Sequence, residues 1–427
     1  MLREVVAKSD DAEQSAEARR LLSDPYLAVV PLRESGDPKN RIDLFILGDG
    51  YQVADEQQSQ FLNHAKTCER LLFSVDPYRE YEQYFNCSAV HLQSVDNGVS
   101  REPGEISKDT PLGCMVRYDV LTSNAGKVFS ITDRLGEAGK DRQTVVIAND
   151  VAGVATGGGG VTSLPKGALG LVHHEVGHSF GGLNDEYDNE PGQDPDKQPP
   201  PPRDAVVATR PAPPNLMHGS DKDDVASKVI WQEWIDAEDR WWNNSTVGLF
   251  EGGDRKPYHV WRPQLSCMMR DLSGFCVVCM EHMVKQIYRN VRPVDRVEPE
   301  PGELVLKKED EEEIILKVWT LQPRTHDLEV VWRVLSYGLQ KPAAAGGEGS
   351  TGQTAVNDER LGEVWRRSQS GLDPTGKTVR AAQLRAKDLE PGWHRVRCSI
   401  KDPTPWVLRD DEGLLTQELE WWVEVQP

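Results

Sequence analysis

Residues 170–188 read GLVHHEVGHSFGGLNDEYD. Within them, His174 and His178 stand four positions apart with Glu175 between them. On a helix, positions i and i+4 share a face, so both imidazoles reach one metal ion. Neutral imidazole suits zinc, at a nitrogen–metal distance of about 2.0–2.1 Å. Glu175 projects toward the same cavity, where it can take a proton from a water the metal activates and deliver it to a leaving amine. The plain alternative is two histidines on an ordinary helix, and the residues after the motif weigh against it. A catalytic zinc site wants a third protein ligand and an open position. Gly181 stands seven residues after His174, where the chain must turn to bring that ligand round, and Asn184, Asp185 and Glu186 come next. An amide is a poor zinc ligand and a carboxylate a good one, so Asp185 is the first choice and Glu186 the reserve. An acid not used this way could orient a histidine by a hydrogen bond instead. His173 points about 100° away around the helix and reads as a packing or orienting residue.

These side chains need a scaffold. Leu169, Leu171 and Val172 precede the motif as an apolar anchor, and Gly181-Gly182 can end the helix. The stretch TGGGGVTSLPKGALG (156–170) lacks the GK[ST] of a phosphate loop and reads as a mobile loop or edge strand beside a cleft. Upstream, Ile42–Leu47 is an apolar run closed by Gly48-Asp49-Gly50, which reads as a buried strand and a tight turn. Phe61, Ala65, Cys68 and Leu72 fall at helical spacing. FNCSAVHLQSV (85–95) and TVVIAN (144–149) are further strands. Strands alternating with helices give an α/β layer with a largely parallel sheet.

The remaining organisation follows from composition. Residues 1–39 read as an N-terminal arm, 40–292 as the catalytic domain, 293–303 as a linker and 304–427 as an all-β sandwich of short strands. Residues 191–214 hold nine prolines in 24 positions and read as an extended surface loop. Residues 341–360 read as a flexible excursion. A helix near residue 280 puts Val277, Met280, Val284 and Ile287 on one face.

Lys and Arg total 49 against 69 Asp and Glu, a net charge of -20. Such a surface repels phosphate backbones and anionic lipids, which argues against a nucleic-acid partner, while plain solubility accounts for the charge itself. No run of 18 apolar residues offers a membrane span. The N-terminal residues carry no apolar signal core, so either the protein is cytosolic or a secretion signal lies outside this sequence. Seven cysteines are an odd count. Cys267, Cys276, Cys279 and His282 could form a closed Cys3His zinc site, but the short spacings favour a Cys267–Cys276 disulfide or buried free thiols.

HExxHxxG followed by a third ligand resembles the metzincins, zinc peptidases that turn at that glycine. Most of them carry a histidine ten residues after the first, where this chain has Asn184. The string HEVGHSFGGLNDEY is instead similar to the IgA-peptidase-like metallopeptidase family, in which an acidic DEY follows the helix. IDLFILGDGY, LFSVDPYREYEQYFN, VGLFEGG, WRPQLSCMMR and FCVVC resemble that family in the same order, over about residues 40–292. DLEPGWHRVRCSIKDPTPWV resembles the β-domain attached to many members.

The resemblance implies an α/β (α+β) metzincin-like zinc peptidase domain with a C-terminal all-β, Ig-like sandwich. It implies a zinc endopeptidase with one catalytic ion on His174, His178 and Asp185, Glu175 as general base and then acid, and a polypeptide substrate. Met268, or failing it Met269, corresponds to the methionine beneath the zinc. Tyr258 lies where a cleft residue could stabilise the oxyanion. Secretion, to the periplasm, cell surface or medium, is implied by the family alone. An accessory calcium ion near Asp185, Glu186 and Asp188 is an option against a merely solvated acidic loop. The rival readings are an inactive homologue acting in surface binding or adhesion, and a zinc hydrolase of a non-peptide amide or ester.

Overall fold

The computed structural model describes residues 26–102, 107–135, 142–188, 213–237, 241–242, 245–309, 312–342, 363–364, 368–373 and 377–427. The fold is mixed α/β, with several sheets and few helices. The chain divides into two compact units, Met1–Val291 with Trp406–Leu408, and Arg292–Pro405 with Arg409–Pro427.

The first unit is built on a six-stranded sheet. Its strands are β1 (Tyr26–Arg33), β2 (Ile42–Asp49), β3 (Phe85–Leu92), β4 (Arg142–Ala148), β5 (Thr156–Gly158) and β6 (Val161–Pro165). Their order in space is β1-β3-β2-β4-β6-β5. The inner pairings β3/β2, β2/β4 and β4/β6 are parallel, and the two outermost are antiparallel. Every residue of β2 is buried, as a central strand covered on both faces requires. Phe45 and Leu47 join one core cluster with Val90, Val146, Leu121 and Val128. Helix α1 (Asp55–Leu72) buries Phe61, Ala65, Cys68 and Leu72, the four residues its spacing selects. Burying Phe61 and Leu72 contributes about 1.5–3 kcal/mol each.

Asp49 ends β2 as a buried carboxylate. It accepts hydrogen bonds from Thr110 Oγ1 and the amides of Leu112 and Cys114, at 2.8–2.9 Å. This ties the segment before helix α2 (Ala125–Thr132) to the sheet. The glycine-rich stretch forms the hairpin β5–β6, and β5 ends the sheet. Three further pieces complete the surroundings of the motif. They are the hairpin β7 (Phe250–Gly253) and β8 (Lys256–Arg262), helix α4 (Met268–Asp271) and helix α5 (Val277–Asn290), with the motif itself on α3 (Val172–Ser179).

The second unit contains two sheets. One orders Val294–Glu298, Glu313–Thr320, Thr378–Arg385 and Ser368–Leu372, and the other Glu303–Lys307, Thr416–Gln426, Gly392–Lys401, Glu329–Gly338 and Glu363–Val364. Burial alternates along Gly392–Lys401, the period of a half-buried strand. Leu316, Val318 and Leu384 from the first sheet share one apolar cluster with Trp332, Val396, Ile400, Trp421 and Val423 from the second.

Two boundaries differ from those read in the sequence. The arm assigned to 1–39 includes β1, an edge strand paired with β3 from Tyr26 to Arg33. The linker assigned to 293–303 includes the strand Val294–Glu298, paired with Glu313–Thr320. Both are edge strands, and an edge strand tolerates the charge and proline that suggested irregular chain. Residues 1–25, all but the last two residues of the proline-rich stretch 191–214, and the excursion from 343 to 360 lie outside the described residues. No helix among the described residues is long and apolar enough to cross a membrane.

Candidate metal centre

Helix α3 is short, and the apolar residues before it form a 3-10 segment, Lys166–Leu171. Leu169, Val172 and Val176 are buried, while Leu171 is half-buried, so the anchor is narrower than the apolar run suggests. The helix sits against the edge of the sheet. A Cβ on Gly157 of β5 would lie 2.0 Å from the Glu175 carbonyl oxygen, so only glycine lets strand and helix approach this closely. Ser179 Oγ bonds Gln143 Nε2 at 2.7 Å and Thr162 Oγ1 at 2.8 Å, tying the helix end to β4 and β6. The helix closes with Gly182 in the left-handed region at φ 61°, its amide bonded to the His178 carbonyl and that of Leu183 to the Gly177 carbonyl. The bond from the Gly182 amide to the His178 carbonyl is that of an αL cap, and it reverses the chain toward Asp185.

The reversal brings three donor atoms together. His174 Nε2 and His178 Nε2 are 3.1 Å apart, and Asp185 Oδ1 is 3.1 Å from each. Ligands of a tetrahedral zinc with bonds of about 2.0–2.1 Å stand roughly 3.3 Å from one another, so the triangle has the size such an ion requires. Proton positions support the same fit. His174 Nδ1 is 3.1 Å from the Met268 carbonyl and His178 Nδ1 is 2.8 Å from the Leu183 carbonyl. A carbonyl only accepts, so each Nδ1 carries the proton, and each neutral ring turns an Nε2 lone pair toward the other and toward a carboxylate. Asp185 Oδ1 is buried and has no hydrogen-bond partner among the described residues. Three converging acceptors with no shared donor call for a cation.

The other Asp185 oxygen is held. Oδ2 accepts from Tyr187 Oη at 2.8 Å and from Arg255 at 3.2 and 3.3 Å. Burial alone would raise the Asp185 pKa, but the two imidazoles and Tyr187 outweigh it and hold the carboxyl far below the usual range. Burial likewise opposes a charged His174, yet Asp185, the Met268 carbonyl and Glu175 leave its pKa raised. The Tyr187 ring stacks over His174 at 6.4 Å. Glu175 is buried beside the triangle and makes no side-chain hydrogen bond among the described residues. Burial pushes its carboxyl up, His174, His178 and Arg255 pull it down, and Asp185 adds to the rise.

Arg255 comes from an unusual turn. Asp254 and Arg255 are the two central residues of the β7–β8 hairpin, at φ 50° and 61°. A type I′ turn needs positive φ at both and ordinarily takes Asn-Gly or Asp-Gly. Here a bulky side chain accepts the strain. The Asp254 and Arg255 amides donate to the Asp185 and Tyr187 carbonyls, at 2.8 and 3.1 Å. Asn215, wholly buried, clamps the same loop: Oδ1 accepts from the Asn184 amide, and Nδ2 donates to the Asn184 carbonyl and Glu186 Oε1. Asn184 itself bonds Asp254.

Several expectations resolve differently. Glu186, the reserve ligand, points away into a group of cysteines, with Oε1 3.1 Å from Cys279 Sγ. The three acids considered for calcium do not converge: Asp185 faces the histidines, Glu186 the thiols, and Asp188 sits 3.5 Å from Arg270. His173 Nε2 donates to the Leu71 carbonyl at 2.7 Å and so pins α3 to the end of α1. The methionine pair divides its tasks. Met268 supplies the carbonyl that His174 needs, while Met269 packs its sulfur beneath Gly177, 2.6 Å from where a Cβ would stand. Tyr258 is half-buried on β8, and among the described residues no hydrogen bond or ring contact joins it to the triangle. Cys267 and Cys276 form no disulfide, and all seven cysteines are buried thiols. Tyr187, Arg255 and Asn215 carry no metal-ligating signal in the sequence, although Tyr187 lies in the DEY string.

Comparison with known proteins adds a family. No curated protein matches the chain. Residues 30–241 match the family model described as IgA Peptidase M64, and the matched span contains His174, Glu175, His178 and Asp185. Through this match the chain belongs to the IgA peptidase M64 family and is a peptidase of the metallopeptidase kind.

Proposed function

We propose that the protein is a zinc-dependent endopeptidase in which His174, His178 and Asp185 hold one catalytic ion and Glu175 moves the proton. The observation that carries this reading is the triangle of lone-pair donors with 3.1 Å sides, with an unbonded buried carboxylate next to it. When bound, zinc supplies a Lewis acid that polarises the scissile carbonyl and lowers the pKa of water to roughly 7.

The chain's own residues do the rest. The Met268 and Leu183 carbonyls fix both imidazole tautomers, so in the neutral rings it is Nε2 that carries the lone pair. Tyr187 and Arg255 hold Asp185 by Oδ2 and leave Oδ1 for the ion. Glu175 accepts the proton of the attacking water and passes it to the leaving amine. Tyr258 is assigned to the developing oxyanion on its position in β8. Strand β5 ends the sheet beside Glu175, and an extended polypeptide adds to its outer edge as a further strand. We read the first unit as metzincin-like, spanning 40–292 with β1 added at its edge. The second we read as an Ig-like sandwich, and the protein as acting outside the cytosol.

The retained Glu175 favours an enzyme over an inactive adhesion homologue, since binding alone has no use for that base. The test is Glu175→Gln in the full chain, assayed on a proteome-derived peptide library. Zinc content stays at the wild-type level and peptide hydrolysis is lost. Cleavage by that variant at the wild-type rate would remove the proposal.

A further inference from the structure

A second cluster of metal-ligating side chains lies outside the site described above. Glu186, Cys267, Cys276 and Cys279 are wholly buried, and one ligand atom from each lies within 4.8 Å of all the others. Cys267 Sγ and Cys279 Sγ are 3.8 Å apart, and Glu186 Oε1 is 3.1 Å from Cys279 Sγ and 3.7 Å from Cys276 Sγ. A tetrahedral zinc with sulfur bonds of about 2.3 Å separates its thiolates by roughly 3.8 Å. The four residues come from three elements: the loop after α3, the residue capping α4, and the first turn of α5.

We propose that these four side chains form a closed, structural site for a thiophilic divalent cation, zinc. Their surroundings suit thiolates. Cys267 Sγ accepts from the amides of Met269 and Cys276, and Cys276 Sγ from the amide of Cys279, at 3.4–3.5 Å. Asn215 Nδ2 donates to Glu186 Oε1 at 3.0 Å, and Arg270 donates to the Glu186 carbonyl. Glu186 Oε2 is buried with no hydrogen-bond partner among the described residues. A carboxylate without solvent and with half its oxygens unbonded is costly in a pocket of thiols, and a cation removes that cost. A disulfide does not: any pairing of the three cysteines leaves one thiol and Glu186 unexplained. His282, the fourth donor suggested by sequence spacing, is not part of the cluster.

The ion would brace the catalytic triangle. Glu186 follows Asp185, and its amide donates to the Met269 carbonyl at 2.8 Å. Cys267 precedes Met268, whose carbonyl orients His174. Three thiolates also keep this ion closed to water, as a structural site requires.

The full-length chain, purified zinc-replete with its thiols reduced, is tested by metal counting and by cobalt substitution. A second zinc equivalent is expected in the wild type. His174→Ala loses one equivalent and keeps the other, and Cys279→Ser does the reverse. Cobalt at a site of histidine and carboxylate gives no thiolate-to-metal charge-transfer absorption, so that band appears in wild type and in His174→Ala and is lost in Cys279→Ser. Should Cys279→Ser fail to fold, the spectra of wild type and His174→Ala decide. A single zinc equivalent that vanishes in His174→Ala, with no thiolate band in cobalt protein, overturns the proposal. The thiolate band is read without any peptidase assay, so it stands or falls apart from the catalytic reading.

Discussion

Asp185 and Glu186 are neighbours in the chain whose carboxylates serve opposite sides of it. Asp185 Oδ1 stands 3.1 Å from both motif imidazoles, and Glu186 Oε1 stands 3.1 Å from Cys279 Sγ. An extended backbone turns successive side chains to opposite faces, so a two-residue step separates the histidine-lined space from the cysteine-lined one. The variant Asp185→Ala is therefore expected to empty the histidine site alone. Partners that only orient a ligand cost 10–100-fold when removed, and losing a ligand exceeds that. Zinc content and kcat/KM on a peptide substrate measure it, and wild-type cleavage by Asp185→Ala would be inconsistent with the ligand set.

Tyr187 and Tyr258 make a discriminating pair. Tyr187 donates to Asp185 Oδ2, so Tyr187→Phe loosens the ligand and lowers zinc affinity and kcat/KM by about tenfold. Tyr258 touches no ligand, so Tyr258→Phe leaves zinc affinity unchanged and lowers kcat by about 10²-fold if it meets the oxyanion. Equal kinetics for Tyr258→Phe and wild type would strike that residue from the mechanism.

Arg255 sits at φ 61° in a two-residue hairpin turn and reaches Asp185. Glycine adopts that conformation freely. Arg255→Gly is expected to gain up to about 1 kcal/mol of stability while lowering kcat/KM by about tenfold. Thermal unfolding and steady-state kinetics on the same preparation test both halves. A variant that is less stable and fully active would show that the strain has no functional reason.

His91 gives the fold a pH dependence of its own. It lies buried on β3 with neither ring nitrogen hydrogen-bonded among the described residues, packed 5.5 Å from Phe61, and burial pushes its pKa down to about 4. Its unfolded value is about 6.5. Above that pH both states are neutral and nothing is lost. Between about 6.5 and 4 only the unfolded chain takes the proton, so stability falls with falling pH, by up to about 3 kcal/mol on linkage grounds. His91→Leu should flatten this limb in denaturant titrations at pH 7 and pH 5. An unchanged pH slope in the variant would exclude His91 as its source.

What could be read from the sequence was local. The α1 face of Phe61, Ala65, Cys68 and Leu72, the motif helix, and the turn toward Asp185 are set by spacings of a few residues. The residues that hold the site in place reach across the chain. Arg255 meets Asp185 seventy positions away, and Asn215 meets Asn184 and Glu186 about thirty away. Nothing in GGDRKP marks a type I′ turn, because the usual glycine is missing from its second position. Glu186 was legible only as an acid near a zinc motif, since its cysteine neighbours lie about eighty to ninety residues on. Strand Val294–Glu298 is hidden in the sequence because its charges and the prolines on either side of it look like a linker.

In the proposed enzyme, His174, His178 and Asp185 share one zinc ion. Anomalous diffraction at the zinc edge from crystals of the wild-type chain tests it most directly. A peak bonded to His174 Nε2, His178 Nε2 and Asp185 Oδ1 is expected, and it should be lost in His178→Ala. Fully active protein whose anomalous density at that triangle is blank would contradict it.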